Sequence, residues 1–266
     1  VGTKRAARIN VCGLVRQSYA ETLAQWSAWL KLACIPFLVL AAAGTALMLI
    51  HMHFNTRLWA SLVFQGASYL LLVPVATSWH RLILRGGAAR VGYRFGHEEY
   101  LYLEMLMAIG ITFYLVMLVS GLLFAAPFIS EASWLSGSSG AEWSYRIVGW
   151  LVLFFAICRF LLVLPAAAIG REMRISQSSR ALRGNAIRLS AAYFFTLLVP
   201  QSLLWFLGDP SSWVLRGSLG EVGLAWVLGS FYVGLAVTVL FWMLSVGVVS
   251  FTYKALVLQN APENAY

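Results

Sequence analysis

Residues 157–174 read ICRFLLVLPAAAIGREMR, an apolar run that is interrupted by Arg159 and followed by Arg171 and Arg174. Together with the residues before it, the run forms an apolar stretch from 147 to 170. A helix needs roughly 17–25 residues to cross the hydrocarbon core of a bilayer, so this stretch is long enough. It predicts a membrane-spanning helix with a charge near its middle and a basic boundary at its end.

Five further stretches have the same character, which makes six predicted spans. The chain of 266 residues is 61% hydrophobic and only 11% charged, whereas soluble domains usually contain about 25% charged residues. The runs are continuously apolar and do not alternate, which favours helices over a β-barrel. We therefore predict an all-α, polytopic integral membrane protein with six transmembrane helices. The predicted spans are 32–50, 58–79, 105–127, 147–170, 189–208 and 222–250.

Weak internal similarities indicate that the spans form three tandem helical hairpins. Residues 132–142 (ASWLSGSSGAE) and 211–221 (SSWVLRGSLGE) both have Ser-Trp followed by an aliphatic residue, and a Glu eight positions after the Trp. Residues 73–81 (VPVATSWHR) and 164–172 (LPAAAIGRE) both have Pro followed by Ala two residues later. A repeated hairpin explains both similarities. Chance similarity within an apolar composition is the alternative.

The basic residues are distributed unevenly between the predicted loops. Of the 19 Lys and Arg residues, 15 lie before the first span, between the second and third, between the fourth and fifth, or after the sixth. Three lie in the other loops, and the last is Arg159. Loops rich in Lys and Arg remain in the cytoplasm, which predicts a bacterial inner (cytoplasmic) membrane protein with both termini inside. Membrane lipids are the expected partners of this basic face, and nucleic acid is not.

The segment before the first span is predicted to lie on the membrane surface. Residues 9–31 are too polar to span a bilayer, yet their apolar side chains recur at steps of three and four. This favours an interfacial amphipathic helix on the cytoplasmic leaflet; an extension packed against the loops is the alternative. The predicted organisation is a tail and interfacial helix at 1–31, a transmembrane domain at 32–256 and a C-terminal tail at 257–266. The apolar stripe consists of Cys12, Val15, Tyr19, Leu23, Trp26 and Leu30.

Three short motifs carry a family resemblance: TSWHRLILRG after the second span, LPAAA at the end of the fourth, and SSRALRGNAIRL before the fifth. With these motifs the chain resembles a group of poorly characterised bacterial six-span proteins. That group is similar to the membrane domain attached to some glycerophosphoryl diester phosphodiesterases. The resemblance covers most of the chain and implies an inner-membrane helical bundle. It implies no catalysis here, because the phosphodiesterase chemistry of such proteins belongs to a separate soluble domain.

The residue types needed for catalysis or metal binding are scattered along the chain. His51 and His53 stand two residues apart, so they point to different faces of a helix and chelate a metal only if the chain is extended there. The cluster of His97, Glu98 and Glu99 lacks the spacing of a zinc motif and reads as the start of a helix neutralised by nearby arginines. We therefore expect no catalytic residue, no metal and no cofactor, and predict that the protein is not an enzyme.

Basic side chains at the predicted cytoplasmic ends of the spans are placed where they could meet lipid phosphates. They follow the second and fourth spans, so an anionic headgroup would be within reach. The expected headgroup contacts are His80, Arg81, Arg85, Arg171 and Arg174.

Arg159 is the most unusual residue in the sequence. An arginine at the centre of a span costs roughly 2.5–3.5 kcal/mol on insertion scales, so its side chain should face the bundle interior or water. The expected partners are buried polar residues at similar depth in other spans. One interpretation is that Arg159 joins the helices through hydrogen bonds, and the other is that it lines a water-filled cavity that binds an anion. The expected polar site consists of Arg159, Gln65, Ser68, Gln201 and Ser202.

These observations favour a non-enzymatic membrane scaffold or assembly protein that contacts lipid or holds a membrane protein complex. The alternative is a transporter or channel for a small anionic or amphipathic solute, with Arg159 at mid-membrane. The sparse inventory of polar residues in the spans favours the scaffold, since a transporter usually has more than one strong intramembrane polar group.

Overall fold

A computed structural model describes residues 9–54, 57–86, 93–129, 154–198 and 224–258, and these residues form helices and turns without any strand. The predicted all-α class is confirmed for this part of the chain. In chain order, the helices are α1 (Val11–Ala24), α2 (Trp26–Phe54), α3 (Arg57–Arg85), α4 (His97–Ile129), α5 (Val163–Ala168), α6 (Ile175–Ala181), α7 (Ala186–Tyr193) and α8 (Leu224–Tyr253). Short π-helical turns, Phe194–Leu198 and Lys254–Leu258, extend α7 and α8.

Three helical segments are long and apolar enough to cross a membrane: Trp26–Leu47, Gly66–Arg85 and Phe231–Leu258. They belong to α2, α3 and α8, and coincide with the first, second and sixth predicted spans. Two shorter apolar segments, Phe154–Ala168 and Ala186–Leu197, lie in the regions of the fourth and fifth predicted spans. These helices are those of a membrane protein.

α8 lies at the centre of the described helices. It packs against α1, α2, α3 and α7, while α3 also packs against α2, α4 and α5. α4 and α5 are in contact with one another as well. The fold therefore brings the ends of α3 and α8, the start of α4 and the short helix α5 into one region.

The buried residues are concentrated at one end of the long helices. In α3 they fall between Val73 and Ile83, and in α8 between Val239 and Tyr253, whereas Val63 and Val233 near the other ends are exposed. We call the well-packed part the Arg81 end, because Arg81 lies within it. Apolar burial contributes roughly 25 cal/mol per Å² of surface removed from water, so the packing energy of the described helices lies mainly at this end.

α1 is attached to α8 through a narrow seam of small and polar side chains. Leu14, Ser18 and Thr22 are its buried residues, and the Ser18 hydroxyl donates to the Leu244 carbonyl at 2.7 Å. Gly247 lies against Ser18 so closely that an added Cβ atom would have no room. The predicted apolar stripe lies about a quarter of the helix circumference away from this seam. Leu23 and Trp26 on the stripe are exposed, whereas Val15 packs partly against the core.

The segment that was predicted as the fourth span contains a break. Residues 154–158 are helical, residues 159–162 form turns, and α5 follows. Within the break the amides bond three residues back, as in Phe160 to Ile157 at 2.8 Å and Leu164 to Leu161 at 3.2 Å. Pro165 favours the break, because it has no N–H to give the Leu161 carbonyl and its ring clashes with that carbonyl in a regular helix.

Candidate functional site

The Arg81 end contains a cluster of charged groups where α3, α4 and α5 meet. Arg81 forms ion pairs with Glu98 at 2.9 Å and with Glu99 at 2.7 Å, while its Nε donates to the Ala168 carbonyl at 2.7 Å. The Arg81 side chain is only 14% exposed and that of Glu99 only 3%. One guanidinium therefore joins three helices, and its planar arrangement of donors suits this role better than a lysine would.

Glu99 is held by groups on both sides of the cluster. It accepts hydrogen bonds from the Thr77 hydroxyl at 3.1 Å and from the Gly96 amide at 2.9 Å. Burial alone would raise the pKa of the Glu99 carboxyl, but the Gly96 amide, its own backbone amide, the Arg81 charge and the Thr77 hydroxyl together lower that pKa below its ordinary value. The carboxylate is thus the stable form of Glu99 near neutral pH.

Next to this cluster, His80 joins α3 to α8 and α4. Its Nδ1 lies 2.6 Å from the Ser250 hydroxyl and its Nε2 lies 3.4 Å from the Tyr102 hydroxyl. Ser250 donates its only hydroxyl proton to the Val246 carbonyl at 2.9 Å, so it accepts the hydrogen bond from His80. The network therefore places the imidazole proton on Nδ1 and leaves Nε2 to accept from Tyr102.

His80 is only 1% exposed, so it does not reach a lipid headgroup. The sequence placed it at the mouth of the second span because basic residues follow it, but α3 continues to Arg85 and α8 and α4 cover the ring. Arg81 is likewise turned inward, towards Glu98 and Glu99. For these two residues the expected headgroup contact is replaced by contact between helices.

The other predicted headgroup residues lie nearer the surface. Arg85 is exposed and donates to the Ile169 carbonyl at 2.8 Å, Arg171 is partly exposed, and Arg174 is exposed. Their contact with lipid stays a prediction.

Arg159 is exposed and lies at the first turn of the break before α5. Its carbonyl accepts a hydrogen bond from the Ser178 hydroxyl of α6 at 2.7 Å, and Ser178 is fully buried. The Ser178 amide donates to the Arg174 carbonyl at 3.1 Å. A single serine thus holds two exposed arginines, Arg159 and Arg174, beside one another, although they are far apart in the sequence.

This position differs from the interior site that the sequence suggested for Arg159. A continuous helix from 147 to 170 would place Arg159 near its middle, but the break and the contact with Ser178 bring it beside α6, outside the packed interior. Of its expected partners, Ser68 donates to the Phe64 carbonyl of its own helix at 2.7 Å. Gln201 and Ser202 lie outside the described residues, and Gln65 is described only as a backbone position in α3.

Several residues of these two regions were not singled out by sequence reasoning. Ser250, Tyr102 and Ser178 are ordinary polar residues in apolar or basic surroundings, and nothing local marks them. The start of α4 at His97, with Glu98 and Glu99 in its first turn, is confirmed. The arginine that pairs with these acids is Arg81 of α3, whereas the sequence suggested arginines adjacent to them. Within the part of the chain that the structure describes, there is no group of three or more His, Cys, Asp or Glu side chains that could hold a metal ion.

Comparison with known proteins adds no relative: no family model, no curated protein and no solved structure matches the chain.

Proposed function

We propose that the protein is a non-enzymatic scaffold or assembly protein of a bacterial cytoplasmic membrane, with six spans and both termini in the cytoplasm. In this proposal it contacts membrane lipids and holds a membrane protein complex. The resemblance to the six-span proteins related to phosphodiesterase membrane domains belongs to the same proposal.

The observation that carries the proposal is the use of the buried polar groups at the Arg81 end. Arg81, Glu99 and His80 bind groups on neighbouring helices, so their polar atoms hold the fold together and do not face a substrate. A buried network that is satisfied in this way rigidifies the elements it joins. A rigid end beside a basic surface is what a platform for lipid and protein contacts requires.

The charge distribution supports the proposed orientation. Among the exposed arginines of the described part, Arg85 at the end of α3 and Arg174, Arg180 and Arg183 after the fourth predicted span lie in segments assigned to the cytoplasm. Each basic residue near an anionic leaflet contributes roughly 1 kcal/mol of attraction. The Arg81 end would therefore lie at the cytoplasmic boundary of the bilayer.

The alternative of solute transport depended on Arg159 inside the bundle. The exposed position of Arg159 beside Ser178 does not favour a buried anion pathway through this residue, so we put the scaffold first.

The test compares complex formation with transport in the same variants. The tagged protein is purified from native membranes in mild detergent, and the stoichiometry of what remains bound is measured beside uptake and efflux of anionic solutes in cells. The proposal predicts a stoichiometric membrane protein complex that Arg159→Leu and the control Arg180→Leu both retain, with solute fluxes unchanged. A flux that Arg159→Leu abolishes and Arg180→Leu preserves, with no bound complex in the wild type, would show that the protein is a transporter.

A further inference from the structure

The two arginines held by Ser178 form a surface with an unusual composition. Arg159 and Arg174 are both exposed, and neither of them forms an ion pair with a carboxylate of the described residues, unlike Arg81. The nearest acid in the sequence is Glu172, which is exposed. The backbones of two exposed arginines, neither in an ion pair with a described carboxylate, are therefore held close together by Ser178.

The hydrogen bonds of Ser178 set the separation of these arginines. Its hydroxyl contacts the backbone of Arg159 directly, at 2.7 Å, and its amide contacts the backbone of Arg174 at 3.1 Å. Arg174 thus lies one helical turn from Ser178, a rise of roughly 5.4 Å. An arginine side chain extends further than this, so both guanidinium groups can reach one small anion between them. Phosphate suits such a pair, because each planar guanidinium can donate two parallel hydrogen bonds to its oxygens.

Apolar side chains on either side of the pair distinguish a lipid from a free anion. Phe155 precedes Arg159 by about one turn and is 38% exposed, and Ile175 follows Arg174 directly and is 46% exposed. Exposed apolar groups next to a phosphate-binding pair match an amphipathic ligand, which has a phosphate and an acyl chain in one molecule. A free phosphate would gain nothing from Phe155 and Ile175.

We propose that Arg159 and Arg174 bind the phosphate of an anionic phospholipid, whose acyl chain lies against Phe155 and Ile175. This inference rests on the proposed membrane function and names the lipid class that it contacts. It also gives the arginine of the apolar run a role, because the phosphate neutralises the charge of Arg159.

The experiment is native mass spectrometry of the delipidated protein in detergent, titrated with phosphatidylglycerol. Arg159→Gln and Arg174→Gln should each weaken the binding of the first lipid roughly tenfold, which corresponds to the loss of one charge-assisted contact. The matched control is Arg180→Gln, because Arg180 is also exposed on α6 but lies about 200° around the helix from Ser178. This control should bind within about twofold of the wild type. Arg159→Lys, which keeps the charge and loses the paired donors, should bind with intermediate affinity.

Three results would overturn the inference. The first is equal weakening by Arg159→Gln and Arg180→Gln, since this would mean that only net charge matters. The second is unchanged binding in Arg174→Gln, a variant that alters an exposed residue and so keeps the test valid even if Arg159→Gln does not fold. The third is displacement of the lipid by millimolar inorganic phosphate, which would identify free phosphate as the ligand.

Resistance of the wild type to extraction from membranes by alkaline carbonate is measured in parallel. If the wild type resists extraction but the variants bind lipid normally, only the lipid-binding inference is wrong. If the wild type is extracted, both the proposed membrane function and the lipid-binding inference are wrong.

Discussion

Arg81 follows one long apolar run and Arg159 interrupts another, and their surroundings are opposite. Arg81 is largely buried, binds two carboxylates and a carbonyl, and joins three helices. Arg159 is exposed, has no carboxylate partner among the described residues, and is held only through its backbone, by Ser178. An arginine in an apolar sequence can therefore either join helices or lie at the surface, and its partners determine which.

The two arginines should contribute very different amounts to the free energy of unfolding. Removing one partner of a buried ion pair leaves an uncompensated charge and costs about 3–5 kcal/mol, whereas changes to exposed side chains usually stay within about 0.5 kcal/mol. Substitutions at Arg81 should therefore cost much more stability than substitutions at Arg159.

The largest effect is expected for Arg81→Leu. This substitution leaves Glu99 buried without its cation and removes the bond to the Ala168 carbonyl, so the free energy of unfolding should fall by about 3 kcal/mol. Unfolding in detergent, followed by circular dichroism, measures it. Arg85→Gln is the control, since Arg85 is exposed and should change stability little. Adding Glu99→Gln to Arg81→Leu should restore part of the lost free energy of unfolding. A double variant whose loss equals the sum of the two single losses would contradict the ion pair between Arg81 and Glu99.

Acid should weaken the same cluster. The pKa of Glu99 is lowered in the fold from its ordinary value of 4.5, so its contribution to stability is fully present above about pH 4.5 and is lost as the pH falls through the lower, folded-state value. Melting temperatures measured from pH 7 down to pH 3 should show this loss in the wild type and a smaller loss in Glu99→Gln. Glu98→Gln, at a side chain that is 39% exposed, should still follow the wild type; equal pH profiles for all three proteins would argue against a special role of Glu99.

A moderate effect is expected for Ser178→Ala. The substitution removes the hydroxyl that holds Arg159, and the loss of one buried hydrogen bond costs about 1 kcal/mol. Ser176→Ala changes an exposed serine of the same helix and serves as the control. Hydrogen exchange of residues 156–164 should become faster in Ser178→Ala alone. No change in either stability or exchange would mean that Ser178 does not fix the break.

The smallest effect on stability is expected for Arg159→Gln. Because its side chain is exposed, the free energy of unfolding in detergent without added lipid should stay within about 0.5 kcal/mol of the wild type. A loss comparable to that of Arg81→Leu would place Arg159 inside the bundle after all.

Much of the helical architecture could be predicted from the sequence. The apolar runs around 32–50, 58–79 and 222–250 match α2, α3 and α8. A continuously apolar segment in a bilayer satisfies its backbone hydrogen bonds most readily as a helix. The start of α4 was visible in its acidic first turn.

The details of both arginine regions could not be predicted in the same way. A proline such as Pro165 weakens a helix, but whether it kinks the helix or breaks it depends on what satisfies the freed carbonyls. The contact between Ser178 and Arg159 joins residues 19 apart in the chain, and that between His80 and Ser250 joins residues 170 apart. Such distant pairs leave no periodic signal in the sequence. Position along a predicted span therefore placed Arg159 in the bundle interior and His80 at the headgroups, and the structure places both differently.

If Arg81 holds the fold while Arg159 binds lipid, the two arginines should respond differently to added lipid. The melting temperatures of the wild type, Arg81→Gln and Arg159→Gln are compared in detergent with and without phosphatidylglycerol. The account predicts that Arg81→Gln melts lower in both conditions and keeps its lipid-induced rise. Arg159→Gln should melt like the wild type without lipid and lose most of that rise. An Arg159→Gln protein that is destabilised without lipid and still gains the full rise on adding it would contradict the account.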